Sequence, residues 1–182
     1  PMDKELAVQS LTDTMAKFTA YIGKRLPKDV KSKLIELKTL ETNPLAKSIY
    51  DSMDENQEAA DRLNRPSCQD TGVIQYFVEA GAHFPLLGEL QEILREATEE
   101  ATRTGPLRHN AVETFDEKNT GTNTGTQIPW LDWRIVPEQD TCTIDVYMAG
   151  GGCTLPGAAK VLMPGQGYEG VAEFVMDVIT ER

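Results

Sequence analysis

Cysteine, histidine and tryptophan are scarce in this 182-residue chain, which holds three, two and two of them. Three cysteines cannot build the disulfide framework that staples a small secreted domain. The opening residues, Pro1-Met2-Asp3-Lys4-Glu5-Leu6, lack the basic-then-apolar pattern of a signal peptide, so a reducing cytoplasm is the expected compartment. No apolar run approaches the roughly 20 residues of a membrane span. Positive charge is also short, with 18 Lys and Arg against 29 Asp and Glu and a net charge of −11, which argues against nucleic acid as a partner. After the glycine run at 150–152 no Walker lysine follows at the required spacing and no Gly-x-Gly-x-x-Gly opens a helix there, which disfavours nucleotide binding at that segment. Internal repeats and low-complexity tracts are missing, and the length suits one domain or one lobe of a larger protein.

Against this background two segments stand out. Cys68-Gln69-Asp70-Thr71-Gly72, entered through Asn64-Arg65-Pro66-Ser67, places a thiol, an amide and a carboxylate in consecutive positions between a stiffening proline and a turning glycine. A thiolate binds iron or zinc readily, and a tuned aspartate moves protons. The same residues also suit a plain connecting loop, with Asp70 capping backbone amides and Cys68 behaving as a small hydrophobe. The second segment runs from the alternating Asp145-Val146-Tyr147-Met148-Ala149 into Gly150-Gly151-Gly152-Cys153-Thr154-Leu155-Pro156-Gly157. Three residues without Cβ let a backbone approach another object closely and present its amides, so a ligand-facing loop is expected rather than a mobile turn.

Other polar candidates are individually ambiguous. Arg108 sits in Pro106-Leu107-Arg108-His109-Asn110, after a Gly-Pro helix stop, where a planar guanidinium either clamps a carboxylate or simply meets solvent. Asn119-Thr120-Gly121-Thr122-Asn123 reads equally as a polar turn or a site wall. Asp116, Glu117 and Lys118 read as a solvated helix end, and His83 and His109 as structural.

Taken together, these segments resemble the class I, iron–sulfur-dependent fumarase and tartrate dehydratase family. The likeness is carried by Asn64-Arg65-Pro66 before Cys-Gln-Asp-Thr-Gly, by Phe84-Pro85-Leu86-Leu87-Gly88-Glu89-Leu90-Gln91, by the Pro106 to Asn110 segment, and by the Met148 to Gly157 segment followed by Lys160-Val161-Leu162-Met163-Pro164. It covers nearly the whole chain. The Gly-Gly-Gly-Cys-Thr-Leu-Pro-Gly run is similar to tartrate-type members, since Ser-Ala-Asn is more usual after the glycines of fumarase-type ones.

The resemblance implies a hydro-lyase that removes water from a 2-hydroxy dicarboxylate, L-tartrate to oxaloacetate, with fumarate hydration to malate as the alternative. It implies a [4Fe-4S] cluster anchored by Cys68, Gln69 and Asp70 touching substrate with Asp70 as a proton carrier, Arg108 gripping a carboxylate, and amides of Gly150, Gly151 and Gly152 covering another oxygen. It also implies a swivelling beta subunit as partner and pairing of alpha chains. Only Cys68 matches a cluster cysteine of the family; the other two would lie downstream, in Cys-Pro-Pro and Gly-Cys-Trp contexts that this chain does not contain. The expectation is therefore an amino-terminal part of a longer subunit, without its cluster and inactive by itself. Cys142 then reads as an apolar strand residue and Cys153 as a site-lining one. A non-catalytic assembly lobe and a mononuclear metal or thiol protein remain as readings from other classes.

Periodicity yields an α+β fold, a helical amino-terminal part followed by a mixed sheet with flanking helices. The division falls at 1–64, mainly helical, and 65–182, carrying the site loops. Leu11, Met15, Phe18 and Ile22 mark the first helix, Val30, Leu34 and Leu37 a second, and Leu45, Ile49 and Met53 a third capped by Asn43 with Pro44 behind it; all three stripes are expected in the core. A buried strand is expected over 73–78 and a helix over 85–104 with Leu87, Leu90, Leu94, Ala97 and Ala101 inward. Strands follow over 130–136 and 141–148 with a turn between them. The last helix spans 169–182 with Val171, Phe174, Val175 and Val178 inward.

Overall fold

The computed structural model describes residues 3–105, 107–113 and 115–181. Pro106, part of the Arg108 motif, and Arg182, the expected end of the last helix, lie outside the described residues. The elements run α1 (Lys4–Ile22), α2 (Lys28–Leu40), α3 (Pro44–Leu63), β1 (Val73–Gly81), α4 (Leu90–Thr104), β2 (Val112–Glu113), β3 (Lys118–Asn119), β4 (Trp130–Val136), β5 (Cys142–Ala149), α5 (Gly151–Thr154), a 3-10 turn (Pro164–Gln166) and α6 (Gly167–Glu181). The fold is α+β, and the chain divides into two compact units, 1–149 and 150–182.

The first unit is organised around β1, the central strand of a mixed three-stranded sheet in the order β4-β1-β5, parallel to β4 and antiparallel to β5. Alternation along β1 sends Ile74, Tyr76, Val78 and Ala80 to the buried face, where Met15, Ala16 and Ala20 of α1 and Leu90, Leu94, Ala97 and Ala101 of α4 meet them. Small side chains let α1 and α4 approach closely, and a Cβ on Gly105 would collide with Ala20. A polar pin crosses this core: the Tyr76 hydroxyl lies 3.0 Å from Thr19 Oγ1 on α1 and 3.0 Å from Thr98 Oγ1 on α4. Burial raises the Tyr76 phenol above its ordinary range, and the threonine hydroxyls oppose that shift.

The helix ends follow their sequence signals. Asn43 Oδ1 accepts from the Leu45 N–H at 2.9 Å with Pro44 at the first helical position, and α3 stops at Asn64 in the left-handed region.

Several faces differ from expectation. On α1 the buried stripe is Thr12, Met15, Ala16, Thr19 and Ala20, while Phe18 is exposed, because close packing on α4 and the Tyr76 hydroxyl select small and hydroxyl-bearing residues over bulk. The stripes of α2 and α3 are not core within this chain: Val30, Leu37, Leu45, Ile49 and Met53 are exposed, α2 buries nothing and α3 buries only Ala60. Those helices are linked by Lys38 Nζ, 2.7 Å from Asp51 and 2.8 Å from Asp54. Helix α4 begins at Leu90 rather than residue 85, after a series of turns. Lys118 belongs to β3 and Asp116 and Glu117 to the exposed turn before it, so this is no helix end.

Strand β4 falls where expected and β5 is one residue later, but the turn between them does not make a hairpin. β1 lies between the two strands, so the connection crosses the end of β1, with Gly81 N–H donating to Thr141 O (2.8 Å), Ala82 N–H to Val136 O (2.9 Å) and His83 N–H to Gln139 O (2.8 Å). The crossing backbone passes so near Gly81 that a Cβ there would overlap Gln139.

In the second unit the three glycines do not form an open loop. Gly150 caps α5, and Gly151 and Gly152 are its first residues, closed by Leu155 N–H donating to Gly151 O at 2.8 Å. In α6 Val171 and Val175 are exposed while Phe174 and Val178 are half-buried, because this short unit has too little chain to enclose a helix face.

Candidate functional site

The Cys68–Gly72 loop is pinned at both ends. Ser67 N–H donates to Gly23 O at 3.0 Å, Asn56 Nδ2 donates to Ser67 O at 2.6 Å, and Pro66 is buried. Within the loop, Asp70 N–H points to Cys68 Sγ at 3.5 Å, and Asp70 Oδ1 accepts from Gly72 N–H at 2.8 Å in an Asx turn that Gly72 completes at φ 74°. This arrangement leaves Cys68 and Gln69 exposed and Asp70 half-buried at the mouth of β1.

The loop is joined directly to the Arg108 segment. Arg108 N–H donates to Thr71 Oγ1 at 2.9 Å, and Thr71 N–H donates to Asn110 Oδ1 at 3.0 Å. Leu107, 2% exposed, anchors the segment in the core while the Arg108 side chain reaches solvent and forms no ion pair with another described residue. Cys68, Gln69, Asp70 and Arg108 therefore share one polar edge of the first unit. Gly150, Gly151 and Gly152 belong to the second unit, and a Cβ on Gly152 would meet nothing within 4 Å.

Sequence reasoning passed over Thr71, Asn110 and the specific part played by Asn123. Thr71 and Asn123 are buried polar residues, and the sequence carried no periodicity to mark them: both sit in turns where Asn and Thr are ordinary. A cavity of about 910 Å³ lies alongside, and among its walls are Asp13, Glu96, Glu99, Glu100 and Arg103. Four carboxylates against one guanidinium make this cavity repel an anionic ligand.

As a ligand for an iron–sulfur cluster, Cys68 fits one position: its thiol is free, exposed and on a fixed loop. Cys142 does not join it. Cys142 pairs with Ala80 at the far end of β1, a strand length of about 23 Å from Val73 at ~3.3 Å per residue. Burial also pushes the Cys142 thiol above its ordinary range. Among the described residues no three His, Cys, Asp or Glu side chains converge to hold an ion. No helix of the described residues is long and apolar enough to cross a membrane.

The chain matches the fumarate hydratase (Fumerase) family over residues 12–182. It is 58% identical over 178 residues to the L(+)-tartrate dehydratase subunit alpha of Escherichia coli K12, covering 98% of this chain and 59% of that protein. The same figures hold for the subunit of that name from Shigella boydii. A relative from Methanocaldococcus jannaschii, provisionally given the same subunit name, is 32% identical over 161 residues, covering 85% of this chain and 55% of its own length. The chain thus spans less than two thirds of the length of these curated relatives.

Proposed function

The chain belongs to the fumarate hydratase (Fumerase) family, and from that premise we propose that it works as part of the alpha subunit of a hydro-lyase that dehydrates L-tartrate to oxaloacetate. The observation that carries the reading is the direct hydrogen bonding of the Cys68–Gly72 loop to the Arg108–Asn110 segment, which holds a thiol, a carboxylate and a guanidinium on one edge.

The reaction breaks a C–H bond next to one carboxylate and the C–O bond on the adjacent carbon, releases water, and leaves an enol that becomes oxaloacetate by moving its proton from oxygen to carbon. In this reading the exposed guanidinium of Arg108 grips a carboxylate with two N–H groups and reverses, locally, the repulsion of a chain with net charge −11. Gln69 orients the substrate by its amide, and Asp70, held by the Gly72 N–H, carries a proton between substrate and solvent. The amides of Gly150, Gly151 and Gly152 cover a second substrate oxygen. Cys68 would hold one corner of a [4Fe-4S] cluster, whose other ligands come from parts of the subunit outside residues 1–182. When bound, such a cluster supplies a Lewis acid for the departing hydroxyl.

A beta subunit completes the site in this reading, alpha chains pair, and the assembly works in a reducing cytoplasm. The test is Cys68→Ser in the assembled alpha–beta enzyme. Iron and sulfide, about four of each per alpha chain in the parent, should fall together with dehydration of tartrate. Unchanged iron and sulfide in the variant would remove Cys68 from the ligand set.

A further inference from the structure

Asn123 is buried to 1% exposure, sits at φ 57°, and directs three of its four amide hydrogen bonds to the segment around Arg108. Its Nδ2 donates to Arg108 O at 2.8 Å and to Thr102 Oγ1 at 3.2 Å. Its Oδ1 accepts from Asn110 N–H at 2.9 Å and from Ala111 N–H at 3.3 Å. Three backbone groups on either side of His109 are thereby fixed by one side chain. Thr102 in turn donates to Thr98 O at 2.8 Å, so the network is rooted in the rigid core helix α4. On its other side the same segment bonds Thr71, through Arg108 N–H and Asn110 Oδ1. An unbroken chain of hydrogen bonds therefore runs from α4 through Asn123 and the Arg108–Asn110 backbone to the residue after Asp70.

The chemistry of the position selects asparagine. It must donate twice and accept twice from a short side chain while its backbone is left-handed. Aspartate lacks the donors, glutamine is longer, and β-branched residues avoid that φ. A fully satisfied buried network holds one geometry and is costly to break.

We propose that Asn123, with Thr71, is a positioning residue for substrate: it sets where the Arg108 guanidinium stands relative to Gln69 and Asp70. This inference rests on the reading of Arg108 as the carboxylate grip. It says that displacing the Arg108 backbone should weaken substrate binding even though neither Asn123 nor Thr71 touches substrate.

The test uses the assembled alpha–beta enzyme with Asn123→Asp, Thr71→Val and Arg108→Ala, alone and combined. Thr71→Val removes the acceptor for Arg108 N–H at nearly constant shape, and Thr71→Ser restores it. Asn123→Asp and Thr71→Val should each raise KM for tartrate about tenfold with kcat within about threefold, and Thr71→Ser should restore KM. In the Arg108→Ala background neither should raise KM further, because the residue they position is gone. As a readout independent of turnover, amide exchange at Arg108 in this 182-residue chain should quicken at least about tenfold in Thr71→Val while amides of α4 keep their protection. Equal KM effects with and without Arg108, or no KM effect, would overturn the positioning role. An unchanged KM in Arg108→Ala alone would instead sink the carboxylate grip, and with it the premise. If Asn123→Asp does not fold, Thr71→Val and its serine rescue decide the matter.

Discussion

Cys68 and Cys142 stand at opposite ends of the central strand, one just ahead of Val73 and the other paired with Ala80. Metal–thiolate bonds of about 2.3 Å leave no way for one small cluster to use both. Their environments differ as much as their positions, since Cys68 is exposed and Cys142 is partly buried with its thiol pushed up. Titration of the native chain with a thiol reagent near neutral pH should therefore label Cys68 and Cys153 rapidly and Cys142 slowly. Rapid modification of all three cysteines would contradict the packing of β5 against the core.

The hydroxyl of Tyr76 is the only polar group that ties α1, β1 and α4 at one point among the described residues. Tyr76→Phe keeps the ring and removes the pin. Thr19 Oγ1 is then left buried without that bond, whereas Thr98 Oγ1 still donates to Leu94 O. A loss of about 1–2 kcal/mol is expected, read as a lower urea midpoint with an unchanged slope. An unaltered midpoint would mean that the core repacks around the hydroxyls at no cost.

What the sequence disclosed, and what it hid, follows from how locally each feature is encoded. Asn43 and Pro44 specify a helix start within two residues, and β4 is delimited by its own β-prone run, so both were legible. The sheet order was not. Inserting β1 between β4 and β5 depends on a long-range pairing, and its one local trace is Gly81, a glycine at a strand end that also reads as a turn. The apolar stripes of α2 and α3 are legible in the sequence but are not core within this chain, because periodicity reports that a face is apolar and not which surface covers it. Of the proposed site residues, Cys68, Asp70 and Arg108 stand out in the sequence through their motifs, whereas the part played by Asn123 depends on bonds to a segment thirteen residues away.

The crossing at Gly81 gives a sharp steric test. The 137–141 connection cannot drift outward without breaking the bonds from Gly81 N–H to Thr141 and from His83 N–H to Gln139. Gly81→Ala should therefore destabilise by about 1–3 kcal/mol, in line with other overpacked sites. Gly152→Ala is the contrast: its Cβ meets nothing, so the chain's melting temperature should hold, while turnover of the assembled enzyme should fall if the glycine amides cover substrate.

Acid should loosen the α2–α3 junction. The Glu41 carboxylate accepts from the N–H groups of Thr42 and Asn43, both at 2.8 Å, and the bond from Asn43, followed by that from Thr42, holds its carboxyl below the usual range. A lowered folded-state value means that this contribution is present above the ordinary glutamate value of about 4.3 and is lost as pH falls through the lowered one. Exchange at the Thr42 and Asn43 amides should accelerate there beyond the intrinsic trend, and Glu41→Gln should abolish that acid-dependent step. Identical pH profiles for parent and variant would assign the loosening to another carboxylate.

Arg108→Lys isolates geometry from charge at the proposed grip. Lysine keeps the positive charge that offsets local repulsion but presents a single ammonium in place of a planar fork, so two parallel N–H contacts to a carboxylate become one. The backbone bonds to Thr71 and Asn123 do not involve the side chain and should survive, leaving the melting temperature and the Arg108 amide protection as in the parent. In the assembled enzyme the cost to substrate interaction should be on the order of 1.5–3 kcal/mol, a drop in kcat/KM of about tenfold or more, and Arg108→Ala should be at least as severe. Long-range attraction predicts the opposite ranking of causes: if charge alone mattered, the lysine variant would match the parent at low salt and only the alanine variant would fail. A kcat/KM for Arg108→Ala within about twofold of the parent would show that neither fork nor charge at this position binds the substrate.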